Sequence, residues 1–149
     1  VSCNQSFPET IQACAAERAN SSGTWINKDI ISAYCELNEL SSAHSIECWF
    51  EEELVGGLYG IAIGNMFFGE SMFSRKSDSS KIALVYLCSL LKEQGSTMID
   101  CQIANPHLES LGACELGLEE FQQIIEQQCN ATSLVFPKEK KPLVEYLKS

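Results

Sequence analysis

The sequence has few basic residues for its size. Ten lysines and arginines stand against 20 aspartates and glutamates, which gives a formal net charge of −10. Proteins that bind nucleic acid on their own normally present a basic surface to the phosphates. The charge balance therefore argues against RNA held by this chain alone. It is compatible with a cationic substrate, or with a second, basic component that contacts the phosphates.

Long apolar runs and metal-ligand patterns are also missing. The longest uncharged run, residues 54–69, is rich in glycine and short for a bilayer crossing, and no basic stretch followed by an apolar one opens the chain. We therefore expect a soluble, cytoplasmic protein without a membrane partner. The eight cysteines form no C-x-x-C pair and have no histidines at ligand spacing, so we expect no metal site.

The pattern of apolar residues predicts one domain over residues 1–130 and a loosely attached, Pro- and Lys-rich tail over 131–149. Helices are predicted up to about Ala19, over residues 28–40 after an Asn27 cap, from a Ser77 or Asp78 cap to Gly95, and over 118–129, and residues 105–113 are predicted to form a turn and a short helix. Three antiparallel strands lie between residues 44 and 74 with a hairpin at Gly64 and Asn65, and residues 97–102 add a strand parallel to a neighbour. This order predicts an α+β fold of mixed α/β layers, with a mostly antiparallel sheet flanked by helices, and resembles the order of elements in GNAT acyltransferases.

Glu70 is an acid within an otherwise apolar strand. Strict alternation places residues 66, 68, 70, 72 and 74 on one face and residues 67, 69, 71 and 73 on the other. A carboxylate on an apolar face needs a charged or hydrogen-bonding partner, supplied either by Arg75 or Lys76 of the protein or by a ligand. Three nearby glycines, Gly56, Gly57 and Gly60, would let a ligand or a neighbouring backbone approach closely.

Two further groups of polar residues are candidate sites. Asp100 and Gln102 project from one face of a strand at its carboxyl end, where they can hold a ligand or simply face water. An acid bonded to an amide can orient the amide oxygen toward the proton of a reacting amine. The segment "SRKSDSSK", residues 74–81, combines a helix start with three cations and could hold a phosphate, but it lacks the glycines of an acetyl-CoA loop.

A series of motifs resembles the leucyl/phenylalanyl-tRNA protein transferase family in both identity and order. These are "GTWI", "AHSIE", "ELVGGLYGIAIG", "FFGESMFSR", "IDCQ", "PHLESLGA" and "GACE", which extend from about Phe7 to Phe121. The run "GESMFSR" followed by "DCQ" and "PHLESLGA" is specific. The resemblance implies a GNAT-like catalytic domain without a cofactor.

The resemblance implies an aminoacyltransferase. Such an enzyme takes Leu or Phe from the 3′ end of an aminoacyl-tRNA and joins it to an acceptor protein that begins with Arg or Lys, which marks the acceptor for degradation by the N-end rule. The reaction is aminolysis of an ester that is already activated, so positioning and proton handling remain for the protein. We also expect a monomer.

Site roles follow from the matching motif positions. The resemblance implies that Glu70 is a carboxylate of the aminoacyl site, that Asp100 and Gln102 form a proton relay, and that Trp25 stacks on the terminal adenine. It implies that the Leu or Phe pocket is apolar and that Ser74 also contacts substrate. The pocket residues are Leu58, Met72, Leu84, Leu87 and Ile99. Leu87 stands where the family can have Phe, and whether Leu58 faces Glu70 depends on hairpin register.

Other functions are compatible with the residues. A divergent or truncated relative could bind basic N-termini through its acidic pocket without catalysis or tRNA. A GNAT-type acyltransferase with another acyl donor is a third possibility, which the missing glycine loop disfavours.

Overall fold

A five-stranded sheet in the order β1-β2-β3-β4-β5 forms the centre of the molecule. The computed structural model describes residues 1–19 and 23–138. The strands are β1 (Ser2–Cys3), β2 (Ala43–Phe50), β3 (Glu53–Ile63), β4 (Met66–Ser74) and β5 (Ile99–Asp100). Neighbours from β1 to β4 are antiparallel, and β5 joins β4 in parallel. The predicted α+β fold is confirmed, including the hairpin between β3 and β4 and the parallel last strand.

The described helices start and stop close to the predicted positions. They are α1 (Phe7–Ala19), α2 (Lys28–Glu39), α3 (Ser79–Glu93), α4 (Pro106–Ser110) and α5 (Leu118–Cys129). The Asn27 side chain accepts a hydrogen bond from the Ile30 N–H at 3.0 Å, as a helix cap does. Gly95 has a φ of 76° just beyond α3, in the left-handed region where glycine is least strained. Asp78 precedes α3 but does not cap it, because its carboxylate binds Lys81 instead.

The sheet separates two apolar clusters. One contains Leu58 and Phe67 and packs against α3, and the other contains Tyr59 and Phe73 and packs against α1 and α2. Helix α3 therefore covers one face of the sheet, and α1 and α2 cover the other, which shields apolar side chains on both faces from water. No helix in residues 1–19 and 23–138 combines the length and the apolar composition needed to span a bilayer.

A bulge in β4 overturns the strict alternation predicted for this strand. Tyr59 pairs with Ser71 and Gly60 with Gly69, so Glu70 is an extra residue without a partner in the ladder. A bulge shifts the alternation by one residue from that point on. Phe67 and Phe73, which alternation places together, lie in opposite clusters, and Met72 packs on the same side as Phe67. The predicted two-face assignment of β4 is wrong for this reason.

Part of the predicted tail is packed into the α3-side cluster. Leu134 and Phe136 are only 8% and 9% exposed, and the Phe136 ring stacks on the His44 ring with centroids 3.9 Å apart. Residues 139–149 of the tail lie outside the described residues. A domain boundary at residue 130 stays a prediction, but apolar packing continues to Phe136.

Candidate active site

The sheet opens on the β5 side of the bulge. β4 and β5 pair only at Phe67 with Ile99 and Phe68 with Asp100. β5 ends there, whereas β4 continues through the bulge to Ser74. A cavity of about 520 Å³ lies beside this second half of β4. The bulge and the short β5 together provide the space for a ligand.

The cavity brings together eight of the ten residues predicted for the site. They are Trp25, Leu58, Glu70, Met72, Leu84, Leu87, Ile99 and Gln102. The loop from α1 to α2 contributes Trp25, which is 45% exposed, and α3 contributes two leucines. Leu58 pairs with Met72 across the ladder, so both belong to the wall on the α3 side. Residues as far apart as 25 and 102 thus line one space.

The lining is apolar apart from a few polar groups. Glu70 is its only carboxylate, and no lysine or arginine is among the described lining residues. The motif comparison gave no role to several other lining residues. These include Tyr59, Phe67, Cys101, Ile103, Asn105, His107 and Leu108. An apolar space with one acid suits a ligand that carries one cationic group next to an apolar group.

Glu70 has a hydrogen-bond partner that the sequence analysis missed. Tyr34 on α2 donates a side-chain hydrogen bond to Glu70. The two cations considered as partners point elsewhere: Arg75 donates to the Leu54 carbonyl at 3.1 Å, and the Lys76 ammonium lies 4.0 Å from the Phe50 ring centroid. The Tyr34 ring packs against the cluster on the α1 and α2 side, and the direction of its hydroxyl group cannot be read from the sequence.

Burial raises the pKa of Tyr34 to about 12, and the charge of Glu70 and the hydrogen bond to it add to the shift. The phenol therefore remains a donor to Glu70 across the neutral range. We expect Glu70→Gln to lower the pKa of Tyr34 but to leave it above its ordinary value of about 10, because burial, the largest cause, persists. Ultraviolet absorbance titration, with Tyr34→Phe to assign the signal, measures this shift. An unchanged titration in Glu70→Gln would contradict the contact.

The contact between Tyr34 and Glu70 should also make the free energy of unfolding fall at alkaline pH. The folded pKa of Tyr34 lies above the unfolded value, so its stabilising contribution is complete below about pH 10 and is lost as pH rises toward 12. Tyr34→Phe should weaken this alkaline loss, measured by urea unfolding at several pH values. An equally steep loss in both chains would assign the alkaline effect to other groups.

Asp100 and Gln102 form a turn that differs from the proposed relay. The Asp100 carboxylate accepts a hydrogen bond from the Gln102 backbone N–H at 2.8 Å, not from its side-chain amide. The side-chain amide nitrogen of Gln102 donates to the Asp100 main-chain carbonyl at 3.3 Å. Gln102 has a φ of 60°, which is uncommon for a residue with a side chain. The acid therefore holds the backbone in this strained conformation, and the amide oxygen of Gln102 stays available as an acceptor.

Asp100 lines a second, larger cavity that shares several lining residues with the first. This cavity has a volume of about 860 Å³ and extends from the turn to Phe121 on α5. Gln102 lines both cavities. The turn therefore borders two ligand-sized spaces.

Ser74 lies outside the 520 Å³ cavity, at the start of α3. Its hydroxyl bonds the Lys76 carbonyl and the Ser79 hydroxyl, each at 2.9 Å, and accepts from the Ser80 N–H. The Ser74 hydroxyl thus accepts a hydrogen bond from one of the N–H groups in the first turn of α3 that have no partner within the helix. Arg75, Lys76 and Lys81 all have partners within the chain. This arrangement does not favour a phosphate at residues 74–81.

A second buried acid, Glu47, shows what a structural carboxylate looks like in this fold. It is fully buried and accepts hydrogen bonds from the hydroxyls of Ser2 and Ser45 at 2.6 and 2.5 Å. The backbone N–H groups of Gln5 and Ser6 donate to it as well. Burial raises its pKa, and these bonds oppose that shift. Glu47 is enclosed by donors, whereas Glu70 lines a space that a ligand can enter.

A family model described as leucyl/phenylalanyl-tRNA protein transferase matches residues 1–126. A leucyl/phenylalanyl-tRNA–protein transferase from Idiomarina loihiensis is 54% identical over 121 residues, which are 81% of this chain and 51% of that protein. The protein of the same name from Hahella chejuensis is 52% identical over 130 residues, 87% of this chain and 56% of that protein. The chain spans about half the length of the curated relatives that it matches.

Solved structures that are similar to this chain include the following one. It is a ribosomal-protein-alanine N-acetyltransferase from Brucella melitensis biovar Abortus 2308, with 12% sequence identity and a TM-score of 0.46. The match covers 91% of this chain and 94% of that chain.

Proposed function

Because the chain belongs to the leucyl/phenylalanyl-tRNA protein transferase family, we propose that it moves Leu or Phe from an aminoacyl-tRNA to an acceptor protein. The acceptor begins with Arg or Lys, and the product is marked for degradation. We propose that the protein acts as a monomer in the cytoplasm.

The observation that carries this proposal is the chemical pairing in the 520 Å³ cavity. An aminoacyl group joins an apolar side chain to an α-ammonium on the neighbouring carbon. The cavity has a matching pair of features, an apolar wall that includes Leu58 and Leu87 and the carboxylate of Glu70. A carboxylate in such a setting binds an ammonium strongly, because the charge-assisted hydrogen bond is little screened by water.

The proposed roles of the remaining site residues follow from their places around this cavity. Trp25, half-exposed at the rim, stacks on the terminal adenine, a contact worth about 1–3 kcal/mol. Gln102 accepts a hydrogen bond from the attacking amine through its amide oxygen. Asp100 acts through Gln102 by fixing the backbone of the turn. Met72, Leu84 and Ile99 complete the apolar wall.

The reaction needs no cofactor in this proposal. The acceptor α-amine attacks the ester carbonyl of the donor, an oxyanion forms, and the ribose oxygen leaves. Holding the amine and the ester in reacting orientation is the main contribution of the site, since such positioning accounts for a large part of a bimolecular barrier.

The test supplies two donors and two acceptors. The chain is incubated with leucyl-tRNA or with leucyl-adenosine, and with a peptide beginning with Arg or a matched peptide beginning with Gly. Mass spectrometry should detect one added leucyl residue on the Arg peptide and far less on the Gly peptide. Leucyl-adenosine contains the aminoacyl group and the adenine but no tRNA body, so it tests the cavity alone.

The two donors separate the possible outcomes. Transfer from leucyl-tRNA supports the complete proposal, and transfer from leucyl-adenosine alone supports the aminoacyl site but not tRNA capture by this chain. No transfer from either donor by a folded sample would overturn the proposal. Calorimetric binding of the Arg peptide in that sample would then favour a module that binds basic N-termini.

A further inference from the structure

The two histidines of the chain have opposite surroundings. The His44 ring is buried, and both of its nitrogens lie within hydrogen-bond distance of protein groups: the Asn4 amide at 2.9 Å and the Ser41 carbonyl at 3.1 Å. Burial lowers the pKa of His44 to about 4, although the bond to Ser41 opposes the shift. With its ring also stacked on Phe136, His44 is a structural residue.

His107 has the features of a residue that meets a ligand. It lies in α4, lines the same cavity as Glu70 and Gln102, and is exposed. The described residues provide no hydrogen-bond partner for either of its ring nitrogens; only its main-chain carbonyl is engaged, by the Ser110 hydroxyl at 2.7 Å. An imidazole at a cavity wall with both nitrogens available can exchange protons with a bound substrate.

The attacking amine must lose a proton, and neither residue of the Asp100–Gln102 turn is a suitable base for it. An amide oxygen orients an amine but is too weak a base to keep its proton, and the Asp100 carboxylate is engaged with the Gln102 backbone. The other titratable groups that face this cavity are Glu70 from β4, Tyr59 from β3 and Cys101 after β5, and Glu109 follows on α4 itself. Glu70 is assigned to the donor ammonium, and burial raises the pKa of the Cys101 thiol.

We propose that His107 is a catalytic residue that moves the proton from the attacking amine to the leaving ribose oxygen. This inference rests on the proposed function. The neutral acceptor amine forms its bond to the carbonyl carbon and becomes cationic, and a ring nitrogen of neutral His107 takes one proton from it. The carbon–oxygen bond to the ribose then breaks, and the imidazolium gives that proton to the departing oxygen. No net proton is gained or lost.

The test compares the parental chain with His107→Gln and His107→Ala. General acid–base catalysis contributes at least about 100-fold, so we expect about a 100-fold lower kcat with little change in KM for the donor. At acid pH, log kcat/KM should fall more steeply with decreasing pH in the parental chain than in His107→Gln, since general-base catalysis requires a neutral imidazole in addition to a neutral acceptor amine. Added imidazole should restore part of the rate of His107→Ala.

Ser110→Ala is the matched control, because it perturbs the same short helix without changing the imidazole. It should keep the parental slope. If His107→Gln keeps the parental slope, or if its rate falls equally at every pH and imidazole restores nothing to His107→Ala, His107 is not the proton carrier. If the parental chain transfers the leucyl group and the His107 variants transfer it at the same rate, only this inference is overturned. A parental chain without transfer overturns the proposed function as well.

Discussion

Glu70→Ala should lower kcat/KM for leucyl transfer about 100-fold, which corresponds to about 3 kcal/mol of lost transition-state binding. The variant removes the only carboxylate among the described residues that line the 520 Å³ cavity, so the donor ammonium would enter an apolar space without a counter-charge. Steady-state transfer to an Arg peptide measures the effect. Glu70→Gln should regain part of the loss, because an amide oxygen still accepts a hydrogen bond but carries no charge.

The control for this prediction is Glu93→Gln, which removes an equal charge from an exposed position at the end of α3. It should leave transfer unchanged and thereby exclude an effect of net charge alone. Thermal unfolding of all three variants shows whether they are folded. Parental rates in a folded Glu70→Ala would remove Glu70 from the aminoacyl site.

Gly60→Ala should lower the free energy of unfolding by about 3 kcal/mol, at the upper end for an overpacked core. Gly60 lies opposite the bulge, where an added Cβ would stand 2.1 Å from the Phe68 carbonyl oxygen and 2.6 Å from the Phe67 ring. The first of these is backbone, so the ladder itself must move. Because Phe67 lines the cavity, transfer should fall too.

Gly69→Ala is a close control for Gly60→Ala, since Gly69 is its partner across the ladder. A Cβ there would come no closer than 3.7 Å to any neighbouring atom, an ordinary contact. Urea unfolding should therefore show a change within about 1 kcal/mol. Equal destabilisation by both substitutions would mean that the close contact at Gly60 is not the cause of the lost stability.

The sequence was sufficient for features that depend on a few neighbouring residues. The Asn27 cap, the Gly64–Asn65 hairpin and the stop at Gly95 are local, and each was found where its turn chemistry predicted it. The motif comparison went further and identified residues that converge on one cavity. The glycines of β3 were correctly read as sites of close approach, and Gly57 and Gly60 meet neighbouring backbone rather than a ligand.

Features that depend on tertiary packing could not be predicted in the same way. The bulge at Glu70 changes which face each β4 side chain occupies, but it results from ladder pairing that no single strand specifies. The direction of the Tyr34 hydroxyl depends on how α2 lies on the sheet. At Gln102, the choice between backbone and side chain as the partner of Asp100 depends on a φ of 60° that the residue type does not indicate.

The packing of Phe136 on His44 has a consequence for the order in which the domain is completed. Leu134 and Phe136 close a cluster whose other members include residues near the start of the chain, so the α3-side core is assembled from both ends of the described sequence. Until Leu134 and Phe136 have been synthesised, that core has an unfilled side. The domain therefore cannot reach full stability before that point, and until then chaperones and proteases can reach apolar surface that the folded domain hides.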